Sequence, residues 1–248
     1  MPSTGLIPDS MDHVFTRTVA PLIRRLMLAR IDPNAITLAA FAFTAAGGVL
    51  IARGDLGAAL GCIVVGGVLD FSDGKVAALT GRVTPFGGVL DSVLDRYADT
   101  AVYLGLVILF AGAGRPATAL AAAVALAGSM ITSYVLALGK THGHAFRAGI
   151  LRRQDRVTLV SVGLLASASP TLLGRLEIPA FGPLAAVVWL LAILTNVTAL
   201  QRLARLRRLL SGPPPPTDPQ PSLRERQLDT LRHLVGASSD HPTGGADE

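Results

Sequence analysis

The sequence DFSDGKVAALTGRVTPFGGVLDSVLD, residues 70–95, places four aspartates in a part of the chain that is otherwise apolar. Asp70 and Asp73 form a first pair, and Asp91 and Asp95 form a second pair. A carboxylate near the centre of a bilayer costs about 2.5–3.5 kcal/mol on insertion scales, and such residues face a cavity or a partner rather than lipid. These four carboxylates therefore require a compensating partner.

Helical spacing predicts that the aspartates form one acidic pocket. Residues three or four apart lie on one face of a helix, so each pair converges on its own helix. Carboxylate oxygens suit Mg²⁺ or Mn²⁺, and two such ions would balance four carboxylates. The single cysteine, Cys62, and the lack of histidine in residues 70–95 argue against a zinc site. The alternative is a structural ion network with Lys75, Arg82 and Arg96, but three cations do not neutralise four anions.

The composition indicates a membrane protein. Of the 248 residues, 50% are hydrophobic and only 16% are charged, which is too apolar for an ordinary soluble domain. Apolar runs close to the roughly 20 residues that cross a bilayer predict an all-α integral membrane protein with six transmembrane helices. The predicted spans are residues 35–52, 56–76, 87–111, 117–138, 157–173 and 179–200.

The distribution of basic residues predicts that both termini are cytoplasmic. With the amino terminus inside, only Arg53, Arg115 and Arg175 fall outside, as the positive-inside rule requires. We therefore expect a protein of the cell membrane whose acidic pocket opens toward the cytoplasm. Because the basic residues flank the spans, the net charge of +5 indicates contact with membrane lipids and not with nucleic acid.

Three segments are expected along the chain. Residues 1–34 form an amino-terminal segment, residues 35–210 form the six-helix transmembrane domain, and residues 211–248 form a Pro-rich, largely disordered cytoplasmic tail. Within the first segment, apolar side chains recur at helical spacing with arginines between them. This pattern is typical of an amphipathic helix at the membrane interface, and an ordinary packing helix fits it equally well.

The aspartates are part of a longer pattern, which is Asp70-x2-Asp73-Gly74-x2-Ala77-x9-Gly87-x3-Asp91-x3-Asp95. Over its whole length it resembles the signature of the CDP-alcohol phosphotransferase family, whose members are membrane enzymes that transfer a phosphatidyl-type group from a CDP-linked donor to an alcohol. Residues 86–99, FGGVLDSVLDRYAD, most resemble the branch that contains the phosphatidylinositol-phosphate synthases. The resemblance implies phospholipid biosynthesis, release of CMP and a homodimer.

The resemblance also implies roles for particular residues. A donor of the CDP-diacylglycerol type places its diphosphate on two Mg²⁺ or Mn²⁺ ions, and Asp95 acts as the catalytic base on the acceptor hydroxyl. The implied metal ligands are Asp70, Asp73, Asp91 and Asp95. The implied contacts to the donor nucleotide are Asp70, Gly74, Ala77, Thr84 and Gly87.

Two basic segments, residues 149–156 and Gln201-Arg202, resemble the parts of the inositol-phosphate branch that bind the acceptor's phosphate. Arginine forks are natural partners of a phosphate dianion. Contact with lipid head groups is the alternative explanation for arginines that flank membrane spans. The expected contacts to the acceptor's phosphate are Arg153, Arg202, Lys140 and Arg156.

Two departures from the family pattern bear on activity and substrate. The family's arginine after the motif alanine is Ala78 here, which keeps open a catalytically impaired homologue that binds lipid. Leu136 and Leu138 stand where the branch carries lysine and arginine, so we expect weaker recognition of a phosphorylated inositol. The acceptor alternatives are inositol phosphate, glycerol phosphate, another polyol phosphate or an uncharged alcohol. A cation carrier would instead place its aspartates along a path through the bilayer.

Overall fold

The computed structural model describes residues 9–144, 146, 148–168 and 181–211, with side chains from residue 19 onward. Within these ranges every regular element is an α-helix. The expected disordered tail and the first eight residues lie outside the described residues. The helices are α1 (Asp9–Leu28), α2 (Pro33–Arg53), α3 (Leu56–Thr80), α4 (Pro85–Gly112), α5 (Pro116–Thr141), α6 (Arg153–Ser167) and α7 (Gly182–Leu210).

Local sequence sets the short turn between α3 and α4. Gly81 ends α3 with a φ of 68°, a left-handed conformation that favours glycine. Thr84 then caps α4, where its Oγ accepts a hydrogen bond from the Gly87 amide at 3.0 Å, and Pro85 takes the first helical position. This turn joins the two helices that carry the aspartates, and both helices pack against α2.

The helices from α2 to α7 form a closed ring. α2 packs against both α3 and α4, α4 packs against α5, α5 packs against α7, and α6 closes the ring by packing between α7 and α3. The α2–α4 contact is backbone to backbone, because a Cβ at Gly48 or Gly105 would collide with the main chain of the other helix. The amphipathic helix α1 packs Val19 and Ile23 against Val76 of α3.

The helices have the composition of membrane spans. Four of the described helices, α2, α3, α5 and α7, are long and apolar enough to cross a bilayer. Large apolar side chains on their outer faces are exposed, among them Leu120, Ile193 and Leu200. A surface of this kind is suited to lipid. The expectation of an all-helical, multi-pass membrane protein is therefore confirmed.

Two of the predicted spans are less apolar. Helix α4 has 28 residues, enough to cross a bilayer, but carries Asp91, Asp95, Arg96 and Asp99 within its first 15 residues. Helix α6 has 15 residues in the described range, and the predicted span of residues 157–173 continues beyond it. The total of six spans stays a prediction.

Candidate active site

Three of the aspartates meet at one point of the ring. Asp70 is ten residues before the end of α3, and Asp95 is ten residues after the start of α4. Each is therefore about 15 Å along its helix from the shared turn. Carboxylate oxygens of Asp70, Asp91 and Asp95 all lie within 4.8 Å of one another. We call these three side chains the carboxylate cluster, and their spacing is suited to a shared divalent cation.

The fourth aspartate of the motif, Asp73, lies apart from the cluster. Its residue is only 6% exposed, and its carboxylate accepts a hydrogen bond from the Gly74 amide. It faces α2, where the Thr37 side chain is its neighbour. The structure thus brings together three of the four predicted metal ligands and holds the fourth in the contact between α3 and α2.

The guanidinium of Arg153, the first residue of α6, lies within the carboxylate cluster. Its Nη1 is 2.9 Å from Oδ2 of Asp70, and its Nη2 is 2.8 Å from Oδ1 of Asp95. Its Nε is 3.7 Å from Oδ1 of Asp99. Sequence reasoning assigned Arg153 to the acceptor's phosphate and did not foresee this position. The geometry shows that the cluster accommodates a cation held by carboxylates from both helices.

Asp99 connects three helices beside the cluster. Its Oδ2 accepts hydrogen bonds from Ser129 of α5 at 2.9 Å and from Nη2 of Arg156 of α6 at 3.1 Å. Arg156 is only 4% exposed. Sequence reasoning assigned Asp99 no role, although it continues the i, i+4 series of Asp91 and Asp95 along α4. That spacing was the signal that could have identified it.

A cavity of about 590 Å³ extends from this polar group between α3 and α6. Asp70, Asp99, Arg153 and Arg156 line its polar end. The rest of its lining is largely apolar, contributed by residues such as Leu60, Ile63, Val64, Val102, Val157, Val160, Val162 and Leu165. The site therefore combines charged groups with a volume suited to an apolar chain.

Most of the chain matches one known protein family. Residues 30–206 match the model of a family described as CDP-alcohol phosphatidyltransferase. The chain belongs to this family. It is therefore an enzyme, a transferase of phospholipid biosynthesis, and the interpretation as a cation carrier is set aside.

Relatives of this phosphatidyltransferase cover most of its length. The phosphatidylinositol phosphate synthase of Mycobacterium bovis is 33% identical over 201 residues, which is 79% of this chain and 89% of the relative. A crystal structure of the Mycobacterium tuberculosis phosphatidylinositol phosphate synthase with CDP-DAG bound has a TM-score of 0.68 and 29% identity, covering 77% of this chain and 94% of that chain. The crystal structure of the same enzyme in complex with manganese and citrate has a TM-score of 0.69 and 28% identity. It covers 84% of this chain and 98% of that chain.

The residues that the resemblance assigned to the donor nucleotide of the phosphatidyltransferase lie on the last three turns of α3 and at the start of α4. Gly74 is exposed, and a Cβ built on it would meet open space. The Thr84 side chain is engaged in capping α4. Gly87 is close to α2, because a Cβ there would lie 3.1 Å from Oδ1 of Asn34. Gly74 thus leaves room one helical turn from Asp70.

The residues assigned to the acceptor of the phosphatidyltransferase fall into two groups. Arg153 contacts the carboxylate cluster, and Arg156 contacts Asp99. Lys140, in contrast, is exposed on the last turn of α5. Arg202 is 7% exposed, and its guanidinium donates to the backbone carbonyls of Ala148 at 2.8 Å, Thr132 at 2.9 Å and Leu151 at 3.4 Å. Arg202 therefore holds the segment before α6 against α5 and α7.

Proposed function

We propose that this chain transfers a phosphatidyl group from a lipid of the CDP-diacylglycerol type to a small alcohol, with release of CMP. The observation that carries the proposal is the convergence of three carboxylates, of which Asp70 lines the polar end of an apolar cavity. That arrangement suits a lipid whose polar part is a diphosphate. The chain's family and its relatives named phosphatidylinositol phosphate synthase support the same activity.

The proposed cofactor is Mg²⁺ or Mn²⁺, as two ions held by Asp70, Asp73, Asp91 and Asp95. The carboxylate oxygens fit such hard cations, and the position of the Arg153 guanidinium shows that the cluster stabilises positive charge. The related mycobacterial enzyme was crystallised in complex with manganese, which supports this cofactor. Divalent ions held there would neutralise the donor's diphosphate and stabilise the CMP that leaves.

The donor is proposed to lie with its lipid part in the cavity between α3 and α6. Its nucleotide would lie beside the small residues of the motif, in contact with Asp70, Gly74, Ala77, Thr84 and Gly87. The CDP-DAG bound to the related mycobacterial enzyme supports this class of donor. The apolar lining suits acyl and ether chains alike.

Asp95 is proposed as the base that receives the proton of the acceptor hydroxyl. Its carboxylate is 16% exposed and lies one helical turn from Asp91, at the edge of the cluster where Arg153 also reaches. The deprotonated oxygen then attacks the β-phosphorus of the donor, and the bond from that phosphorus to the CMP oxygen breaks. A positioned carboxylate of this kind typically contributes about 10²–10⁴-fold to a rate.

The proposed acceptor is a polyol phosphate, such as inositol phosphate or glycerol phosphate. Arg153 and Arg156 stand nearest the cluster among the predicted phosphate contacts, and Lys140 and Arg202 complete the proposed set. The name of the relatives favours inositol phosphate. Leu136 and Leu138 reduce the positive charge expected in that branch, so other acceptors belong in the test.

The proposed arrangement in the cell has six spans, both termini in the cytoplasm and the carboxylate cluster facing the cytoplasm across the cell membrane. The basic residues that flank the spans support this orientation. A homodimer is proposed from the family resemblance alone.

The test is CMP release from the purified chain in detergent with a CDP-diacylglycerol donor and Mg²⁺. Inositol phosphate, glycerol phosphate, serine, inositol and a sample without acceptor are compared. We expect release that depends on both the metal and one acceptor, and we expect Asp95→Asn to abolish turnover while the donor still binds. Absence of release with every acceptor, together with release by Ala78→Arg, would instead support the impaired homologue.

A further inference from the structure

The position of Arg153 raises a conflict with a bound divalent ion. Its Nη1 and Nη2 contact Asp70 and Asp95 at 2.9 and 2.8 Å, which are the distances of charge-assisted hydrogen bonds. A Mg²⁺ ion coordinated by the same oxygens would lie about 2.0–2.1 Å from them. The guanidinium and the ion would then share one space and repel each other. While the guanidinium binds Oδ2 of Asp70 and Oδ1 of Asp95, these two oxygens are not available to a metal ion.

The backbone around Arg153 is fixed by other residues. The Arg152 amide donates to Oδ2 of Asp155 at 2.8 Å, and the Leu151 amide donates to the Thr198 hydroxyl at 3.3 Å. Arg202 binds the carbonyls of this segment, as described above. The Arg153 side chain is itself 27% exposed. The side chain can therefore leave the cluster while the start of α6 stays in place.

Outside the cluster, the neighbour of Arg153 on its own helix is Arg156. The two arginines are three residues apart on α6 and so lie on one face of the helix. Among the described residues, Nε of Arg153 and Nε of Arg156 are both buried without a hydrogen-bond partner. Both side chains line the polar end of the cavity. Unsatisfied guanidinium N–H groups at one place are donors suited to an anion.

We propose that Arg153 is a displaceable counter-ion, which neutralises Asp70 and Asp95 until a divalent cation takes its place and then binds the acceptor's anionic group together with Arg156. This inference rests on the proposed function. It adds an order of events: the metal binds first, and its binding creates the acceptor's phosphate site. By reciprocity, an anion that binds Arg153 strengthens metal binding at the cluster.

The first test is Mn²⁺ binding to the full chain, measured by electron paramagnetic resonance of free Mn²⁺. Because the ion no longer has to displace a guanidinium, Arg153→Gln should bind Mn²⁺ on the order of tenfold more tightly than the wild type. The matched control is Arg96→Gln, since Arg96 also pairs with Asp95, at 3.6 Å, but from the exposed side of α4. It removes the same charge and should change the affinity by less than about threefold.

Thermal unfolding separates this role from a purely structural one. Arg153→Gln leaves the carboxylates without their counter-ion, so without metal its midpoint of thermal unfolding should fall below that of the wild type. Saturating Mn²⁺ should restore the midpoint of the variant to the wild-type value. A midpoint that stays low with Mn²⁺ would mean that Arg153 is a structural tie and would overturn the inference. Equal Mn²⁺ affinity in wild type and Arg153→Gln would overturn it while leaving the proposed function intact. Absence of Mn²⁺ binding in every variant would overturn both.

The second test uses inorganic phosphate as the anion. Phosphate should tighten Mn²⁺ binding to the wild type, because it stabilises Arg153 away from the cluster. Direct contact between phosphate and the metal would also tighten Mn²⁺ binding. That contribution does not need Arg153 and would persist in Arg153→Gln. We measure the factor by which phosphate tightens Mn²⁺ binding. This factor should be at least about threefold larger in the wild type than in Arg153→Gln. Equal coupling would show that Arg153 does not move to the anion.

Discussion

Asp99 of α4 and Arg156 of α6 form a buried ion pair of 3.1 Å directly beside the carboxylate cluster. The pair joins two helices through residues that are 57 positions apart in sequence, and it fixes Arg156 at the polar end of the cavity. Asp99 also accepts from Ser129, so the same carboxylate ties α5 to this point. The placement of Arg156, a proposed contact to the acceptor's phosphate, thus depends on an aspartate outside the family motif.

Asp99→Asn should therefore weaken acceptor binding more than catalysis. The substitution removes the charge that orients Arg156, so we expect KM for the acceptor to rise about tenfold with a smaller change in kcat. The thermal midpoint should also fall, because a buried guanidinium loses its counter-ion. Steady-state kinetics with varied acceptor at saturating donor would measure the effect.

Ser129→Ala is the matched control for that experiment. It removes only the neutral hydrogen bond to Asp99 and leaves the ion pair, so its effect on stability should be near 1 kcal/mol and its KM unchanged. An acceptor KM that is unaffected by Asp99→Asn would contradict the positioning role of Asp99.

Arg202 is also proposed to contact the acceptor's phosphate, but its loss should act mainly on stability. Its guanidinium is buried and donates to three carbonyls, so Arg202→Met should lower the free energy of unfolding by about 1–3 kcal/mol. Thermal unfolding in detergent would check this. Arg205→Met, at an exposed position one turn further along α7, is the control and should have little effect. A normal midpoint with a raised acceptor KM would instead favour the direct contact that the sequence predicts.

The cavity between α3 and α6 offers a test of where the donor's lipid part binds. Ser161 lines the cavity and is half-buried, so Ser161→Phe would fill part of its volume. We expect KM for long-chain CDP-diacylglycerol to rise at least about fivefold, while a short-chain donor is affected less. Ile193→Phe, on the exposed face of α7, is the control. Equal effects on both donors would contradict a lipid site in this cavity.

Much of this architecture was predictable because it depends on local signals. Apolar runs bounded by caps such as Thr84 and turns such as Gly81 specify the helices, and the spacing of Asp91 and Asp95 specifies a shared face. The sequence could not place Arg153 within the carboxylate cluster, because that contact joins residues 83 positions apart. The sequence also could not show that Arg202 binds three backbone carbonyls. The position of an arginine along the chain does not reveal whether its guanidinium binds a phosphate or the backbone.

The last prediction concerns Ala78, where the family has arginine. Ala78 is exposed and lies one turn after Gly74 on the same face of α3, where the structure leaves open space. An arginine there would extend toward that space and add a charge near the proposed nucleotide. We therefore expect Ala78→Arg to lower KM for the CDP-linked donor about tenfold, and Ala78→Gln to have little effect, because it adds length without charge.

The rate at saturating donor distinguishes the two interpretations of Ala78. If the chain is an active enzyme whose donor is held by the metal site and the cavity, kcat should be similar in wild type and Ala78→Arg, and only KM should change. If turnover is measurable only in Ala78→Arg, the alanine has removed a group needed in the transition state, and the chain is an impaired homologue. CMP release at several donor concentrations would separate these results, because binding and turnover are read from the same curves.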